Sequence, residues 1–142
     1  MRVRNRIRTG LLCAVVFGLT GCGFSQTYIS FGGKEDGQPA FCISTKPNCA
    51  APGAPLRSIV VAEVDENGKV GRVLWRAEAP AGWAGRTEIQ KVVYGKAPDG
   101  WNDATPPSGL TAGEHYAVNG SYFFSITHNG LITREGAPDP HN

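Results

Sequence analysis

The chain has 142 residues, with 14 basic residues against 12 acidic ones and a net charge of +2. Four of the basic residues, Arg2, Arg4, Arg6 and Arg8, sit at the very start with no acidic neighbour, so the rest of the chain is slightly acidic. That balance excludes the basic footprint of a nucleic-acid binder. Gly and Pro make up about a fifth of the residues, below the range of low-complexity chains, a composition that suits short ordered strands joined by many turns.

The arginine-rich start is followed by the apolar run Leu11-Leu12-Cys13-Ala14-Val15-Val16-Phe17-Gly18-Leu19. A basic n-region, a short apolar h-region and small residues ahead of a cut make a secretory signal. The run falls short of the ~20 apolar residues of a membrane-spanning helix. Leu19-Thr20-Gly21-Cys22 resembles a lipobox, the processing site of bacterial lipoproteins. The resemblance implies a signal peptide over 1–21, cleavage before Cys22 and lipidation of its sulfur. The protein is then held to the membrane by an N-terminal lipid. Gly23, where an Asp often retains such proteins in the inner membrane, implies the outer membrane, facing the periplasm. Residues 22–26 form a short tether, 27–135 one domain, and 136–142 a polar tail.

With Cys13 removed and Cys22 lipidated, Cys42 and Cys49 remain in a compartment that permits disulfides. A bridge between them is the expectation. A metal or redox pair is the alternative, without C-x-x-C spacing or a nearby His to support it.

Thr27–Phe31 and Pro39–Ser44 read as strands around a Gly32-Gly33…Gly37 turn region. Leu56–Val64 is a β-branched central strand, closed by the hairpin signal Asp65-Glu66-Asn67-Gly68. Val70–Ala77 alternates, with Val73, Trp75 and Ala77 on one face and Leu74 an exception on the outer face. Ala79–Thr87 is a Pro/Gly loop carrying Trp83 and Arg86. Glu88–Tyr94 is another strand, and Lys96–Ser108, with Trp101, is the longest loop. Across Leu110–Thr127, Tyr116, Val118, Gly120, Tyr122, Phe124 and Ile126 share a face with a period of two. Asn119-Gly120 could form a hairpin turn, but a turn would usually disturb the alternation, so the pattern predicts one long strand with Gly120 pointing inward at a bulge. Asn129-Gly130 then turns the chain into a last strand, Leu131–Arg134. No helical periodicity follows residue 22.

Leu110-Thr111-Ala112-Gly113-Glu114-His115-Tyr116 resembles the tyrosine corner of fibronectin type III and related sandwiches, where a tyrosine hydroxyl bonds the backbone upstream. With about seven short strands, this predicts an all-β, immunoglobulin-like (fibronectin-III-like) antiparallel β-sandwich behind a lipoprotein signal peptide.

The sequence carries no nucleophile elbow, zinc-protease motif, P-loop or cofactor fingerprint. His115, His128 and His141 are scattered, and Glu63 and Asp65 read as solvated charges at a hairpin end. Trp83, Arg86 and Trp101 are the candidate partner contacts, since Trp and Arg dominate interface hot spots; the competing role for each tryptophan is to cap the core.

The layout also resembles type VI secretion immunity lipoproteins of the periplasm. The matching residues are the lipobox, Phe41-Cys42-Ile43, Tyr94-Gly95 and Leu110…Gly113…Tyr116-Ala117-Val118. That group carries a cysteine just before the Tyr-Gly pair, and Gln90–Val93 holds none. The resemblance implies a non-catalytic binding module that neutralises a toxin protein. The alternatives are an accessory lipoprotein of envelope assembly and a small-ligand or glycan binder.

Overall fold

The computed structural model describes residues 26–49, 53–82 and 88–136. Among the described residues there are eleven strands and no helix. They are β1 (Tyr28–Glu35), β2 (Gln38–Ser44), β3 (Ala54–Pro55), β4 (Ser58–Val64), β5 (Val70–Glu78), β6 (Glu88–Ile89), β7 (Lys91–Val93), β8 (Asn102–Thr105), β9 (His115–Val118), β10 (Tyr122–Ile126) and β11 (Ile132–Glu135). One sheet runs β1-β2-β7, a second runs β11-β10-β9-β4-β5-β8, and β3 and β6 form a small ribbon. All pairings between these strands are antiparallel. Setting aside the ribbon and the outer strands β8 and β11, seven strands remain. The first, second and fifth face the third, fourth, sixth and seventh. This is the strand division of an immunoglobulin-like sandwich of the fibronectin type, as the sequence predicts.

Alternation along each strand builds the core. Ile59 and Val61 of β4, Tyr116 and Val118 of β9, and Tyr122 and Phe124 of β10 point between the sheets and meet Phe41, Ile43 and Val92. Aromatic pairs stitch the two layers together. Phe41 lies 5.5 Å from Phe124 and 6.0 Å edge-on from Tyr122, and Trp75 lies 5.5 Å edge-on from Tyr94. Such pairs contribute ~0.5–1.5 kcal/mol each beyond the burial of their area.

Several local expectations are corrected. The stretch Leu110–Thr127 is not one strand: Asn119, Gly120 and Ser121 form a turn between β9 and β10, with Val118 opposite Tyr122. A three-residue loop pairs residue i with residue i+4, so both strands keep the same parity and the period of two passes through the turn undisturbed. Gly120, with φ 63°, serves that turn and does not fill the core. Leu74 is buried alongside Trp75. Val61 pairs with Trp75 and Ala62 with Val73, so Leu74 is the extra residue of a bulge and turns inward.

β1 runs through Gly32-Gly33, where its register shifts, and turns at Asp36-Gly37, whose φ values of 51° and 78° suit a two-residue hairpin. Glu88–Tyr94 divides at Gln90 into β6 and β7, and Gln90 O accepts a hydrogen bond from Ile43 N at 3.0 Å. The predicted loop Lys96–Ser108 contains β8, an edge strand bonded to β5. The segments holding the predicted signal, Cys22, Trp83, Arg86 and His141 lie outside the described residues.

Candidate functional site

Strand pairing brings the Trp101 turn and the start of the loop that follows β5 to one end of the sandwich. Glu78, the last residue of β5, pairs with both Ser58 and Asn102, the first residues of β4 and β8. Ala79–Gly82 leaves β5 there and leads into the segment of Trp83 and Arg86. Trp101 immediately precedes Asn102. Its position is set by a turn, in which Trp101 N donates to Pro98 O at 2.9 Å and Gly100 adopts φ 80°. Glycine at that third position is what a type II turn requires. The Trp101 ring is half-buried and packs against the core, so it caps the sandwich while keeping part of its surface open. The described chain enters at this same end, where Tyr28 pairs with Ser44 and Thr27 Oγ1 donates to Pro55 O at 3.5 Å.

Two further features fasten this entry end. Asn119, at φ 49°, extends the β4 ladder with its side chain. Its Oδ1 accepts Val60 N at 2.7 Å and its Nδ2 donates to Ser58 O at 3.1 Å. Unbroken alternation puts Asn119 inside a strand and hides this role; the Asn-Gly dipeptide is the signal in the sequence that points to it. Cys42 and Cys49 are joined by the expected disulfide, with Cα atoms 5.5 Å apart. Asn48 and Cys49 both adopt left-handed φ, and Asn48 N donates to Ser30 Oγ at 3.1 Å, folding the loop back over β1. A Cβ at Gly32 would lie 3.0 Å from Cys42 Sγ, which explains glycine where β1 passes the bridge.

The far end is tied by tyrosines. Tyr116 makes the predicted corner: its hydroxyl accepts Thr111 N at 2.7 Å and donates to Thr111 O at 3.1 Å. Tyr94 OH donates to Ser108 O at 2.6 Å. Burial pushes the Tyr94 phenol up to about 12, against the lowering effect of its bond to Ser108. Tyr94, Asp36, Gln38, Lys96, Pro107 and Ser108 line an open groove of about 360 Å³. Lys96 bonds the Asp36 carboxylate across it, holding Asp36 below and Lys96 above their ordinary values.

A second groove of about 470 Å³ at this end includes Glu63, Asp65, Arg72 and Glu114. Here Glu63 is occupied by Arg72, which lowers its pKa. Asp65 Oδ1 caps its own turn by accepting Asn67 N and Lys69 N, both at 2.9 Å. The pair is thus committed to structure. His115 is exposed and bonds Glu135 at 2.8 Å, and His128 lies in the β10–β11 turn against Gly113. Among the described residues, no three His, Cys, Asp or Glu side chains gather in a metal-holding group. The chain matches no family model, no curated protein and no solved structure.

Proposed function

We propose that this chain is a membrane-anchored periplasmic lipoprotein whose β-sandwich is a non-catalytic binding module, acting as an immunity protein that neutralises a toxin delivered by a type VI secretion system. The observation that carries the binding reading is the pairing of Glu78 with Asn102. It puts the partly open Trp101 ring at the end where Ala79–Gly82 leaves β5 toward Trp83 and Arg86, and the reading gives these three residues to one partner. A disulfide-closed sandwich also suits an oxidising compartment. The lipobox resemblance supplies the anchor at Cys22.

A second reading has its own support. The described chain enters at the same end as Trp101, and with a lipid at Cys22 the tryptophan end would lie close to the membrane. That favours an accessory lipoprotein of envelope assembly, with its partner lying at the membrane surface.

The test is to co-express the chain with the product of its neighbouring gene directed to the periplasm, and to measure survival, complex formation and thermal stability for wild type and Trp101→Ala. For a hot spot, the substitution weakens the complex by ~2 kcal/mol, roughly thirtyfold, and protection falls while the fold survives. A neighbouring product that is harmless in the periplasm removes the immunity reading. A variant that unfolds shows that the ring serves only the core.

A further inference from the structure

The two sheets leave four outer strands, and three of them carry features that discourage pairing with another chain. β1 is broken by its bulge at Gly32-Gly33 and crossed by the bonds from Asn48 to Ser30 and from Lys34 to Gly130. β7 has only three residues. β8 runs directly into Pro106-Pro107. Short edges, bulges and prolines are the usual protections. β11 differs from all three. It pairs with β10 in unbroken register from Ile132 to Glu135, and no other described strand pairs with it. Leu131, just before it, is 62% exposed, the most open of the large apolar side chains among the described residues. Its charges are drawn sideways: Glu135 bonds His115, and Arg134 lies 5.9 Å over the Tyr122 ring.

The hydrogen-bond phase of β11 specifies what it can accept. Thr127 N donates to Leu131 O at 2.8 Å, so Thr127 and Leu131 are a bonded pair. Antiparallel pairs alternate between bonded and non-bonded. Ser125–Thr133 and Phe123–Glu135 are therefore bonded pairs as well, while Ile132 and Arg134 turn their N–H and C=O groups to the open edge.

We propose that β11 pairs with β11 of a second copy of this chain, antiparallel about a two-fold axis at Thr133. In that register Ile132 faces Arg134 of the other copy and Arg134 faces its Ile132, and all the free backbone groups of both residues are used. Thr133 meets Thr133, a favourable cross-strand pair. Leu131 lies against the stem of the other copy's Glu135. A register centred on Arg134 instead sets two guanidinium groups directly opposite and leaves Ile132 facing Gly136. The Thr133 register keeps the two Arg134 side chains on a diagonal, about 7–8 Å apart at the backbone. This mild repulsion makes the dimer weak in dilute salt and tighter as salt screens it.

The experiment is sedimentation equilibrium on the purified full chain and three variants. Wild type rises from one toward two chains in average mass as it is concentrated, more steeply at higher salt. Arg134→Pro removes the side chain and, of the backbone bonds, only an edge donor, because that N–H faces away from β10, and it stays monomeric. Arg134→Ala keeps the donor, removes the diagonal repulsion, and dimerises at least as well as wild type. Thr133→Cys forms an intermolecular disulfide under air, since a non-bonded pair sets Cα atoms about 4.5 Å apart, within disulfide reach. This variant decides the matter if Arg134→Pro does not fold. A wild-type monomer at every concentration overturns the proposal. So does a dimer that survives in folded Arg134→Pro, or a dimer that Thr133→Cys fails to crosslink.

Discussion

At the far end of the sandwich, buried phenols reach out to loop backbone: Tyr94 holds Ser108, and Tyr116 holds Thr111. At the entry end, the fastenings come from the loops and turns themselves. Asn119 supplies an amide to β4, Cys49 closes a bridge to Cys42, and Trp101 lays its ring against the core. The difference is one of direction. Far-end loops are held by core residues, so their order depends on the sandwich being intact. Entry-end loops carry their own fasteners, which can be removed while the strands stay paired. A surface meant to adapt to a partner fits the second arrangement, and a surface meant to stay fixed fits the first.

The comparison can be broken most severely at the disulfide. Replacing both Cys42 and Cys49 with Ala frees the loop and is expected to cost about 2–3 kcal/mol, with urea denaturation as the measure. Near-native far-end amide exchange in the folded variant is the accompanying expectation. If the loss of protection spreads to Thr111 and Ser108, the two ends are not independent.

Alkaline titration probes the other end. Tyr94 holds its proton up to about 12 in the folded chain, against an ordinary value near 10. Its stabilising contribution is therefore complete below about pH 10 and is lost as pH rises toward about 12, because the unfolded chain ionises first. The full loss is roughly 2 kcal/mol, taking ~1.4 kcal/mol per unit and discounting for residual solvation. Burial raises the Tyr122 phenol in the same sense. Denaturation midpoints at stepped pH follow the loss, and Tyr94→Phe should flatten it.

Tyr116→Phe is the gentlest of these changes. It keeps the ring in the core and removes both bonds to Thr111, at an expected cost of about 1–2 kcal/mol. An unchanged urea midpoint would show that water replaces the phenol at the exposed Thr111.

Much of this division was legible in the chain. Tyr116 announced its corner through the residues before it, and the Cys42–Cys49 bridge followed from the cysteine count and the compartment that the lipobox resemblance implies. The β4–β5 hairpin was carried by Asn67-Gly68. The failures share a physical origin: periodicity reports which face a residue occupies and says nothing about where the chain reverses. The turn at Asn119–Ser121 preserves parity, so alternation alone could not reveal it. Leu74 broke the alternation, and only the pairing of Val61 with Trp75 and of Ala62 with Val73 shows the break to be a bulge. β8 is a polar edge strand, so Asn102–Thr105 lacks the apolar face that makes strands visible. At the candidate site, sequence placed Trp101 on a loop but left open whether its ring caps the core or meets a partner. The ring does the first with one part of its surface, and the rest stays open. The hold of Tyr94 on Ser108 spans residues that share no local pattern.

The turn between β9 and β10 also decides where this chain can change length. Val118 faces Tyr122 across Asn119, Gly120 and Ser121. Opposed residues share a face whatever the length of the loop between them, and hairpin loops of two to five residues all join paired strands. A residue gained in that loop would therefore leave Tyr122 and Phe124 in the core. A residue gained inside β10 would instead move the part of the strand beyond it by one, sending Phe124 to solvent and Ser125 inward. Among descendants of this sequence, viable changes of length should therefore collect in the loop and spare the strand.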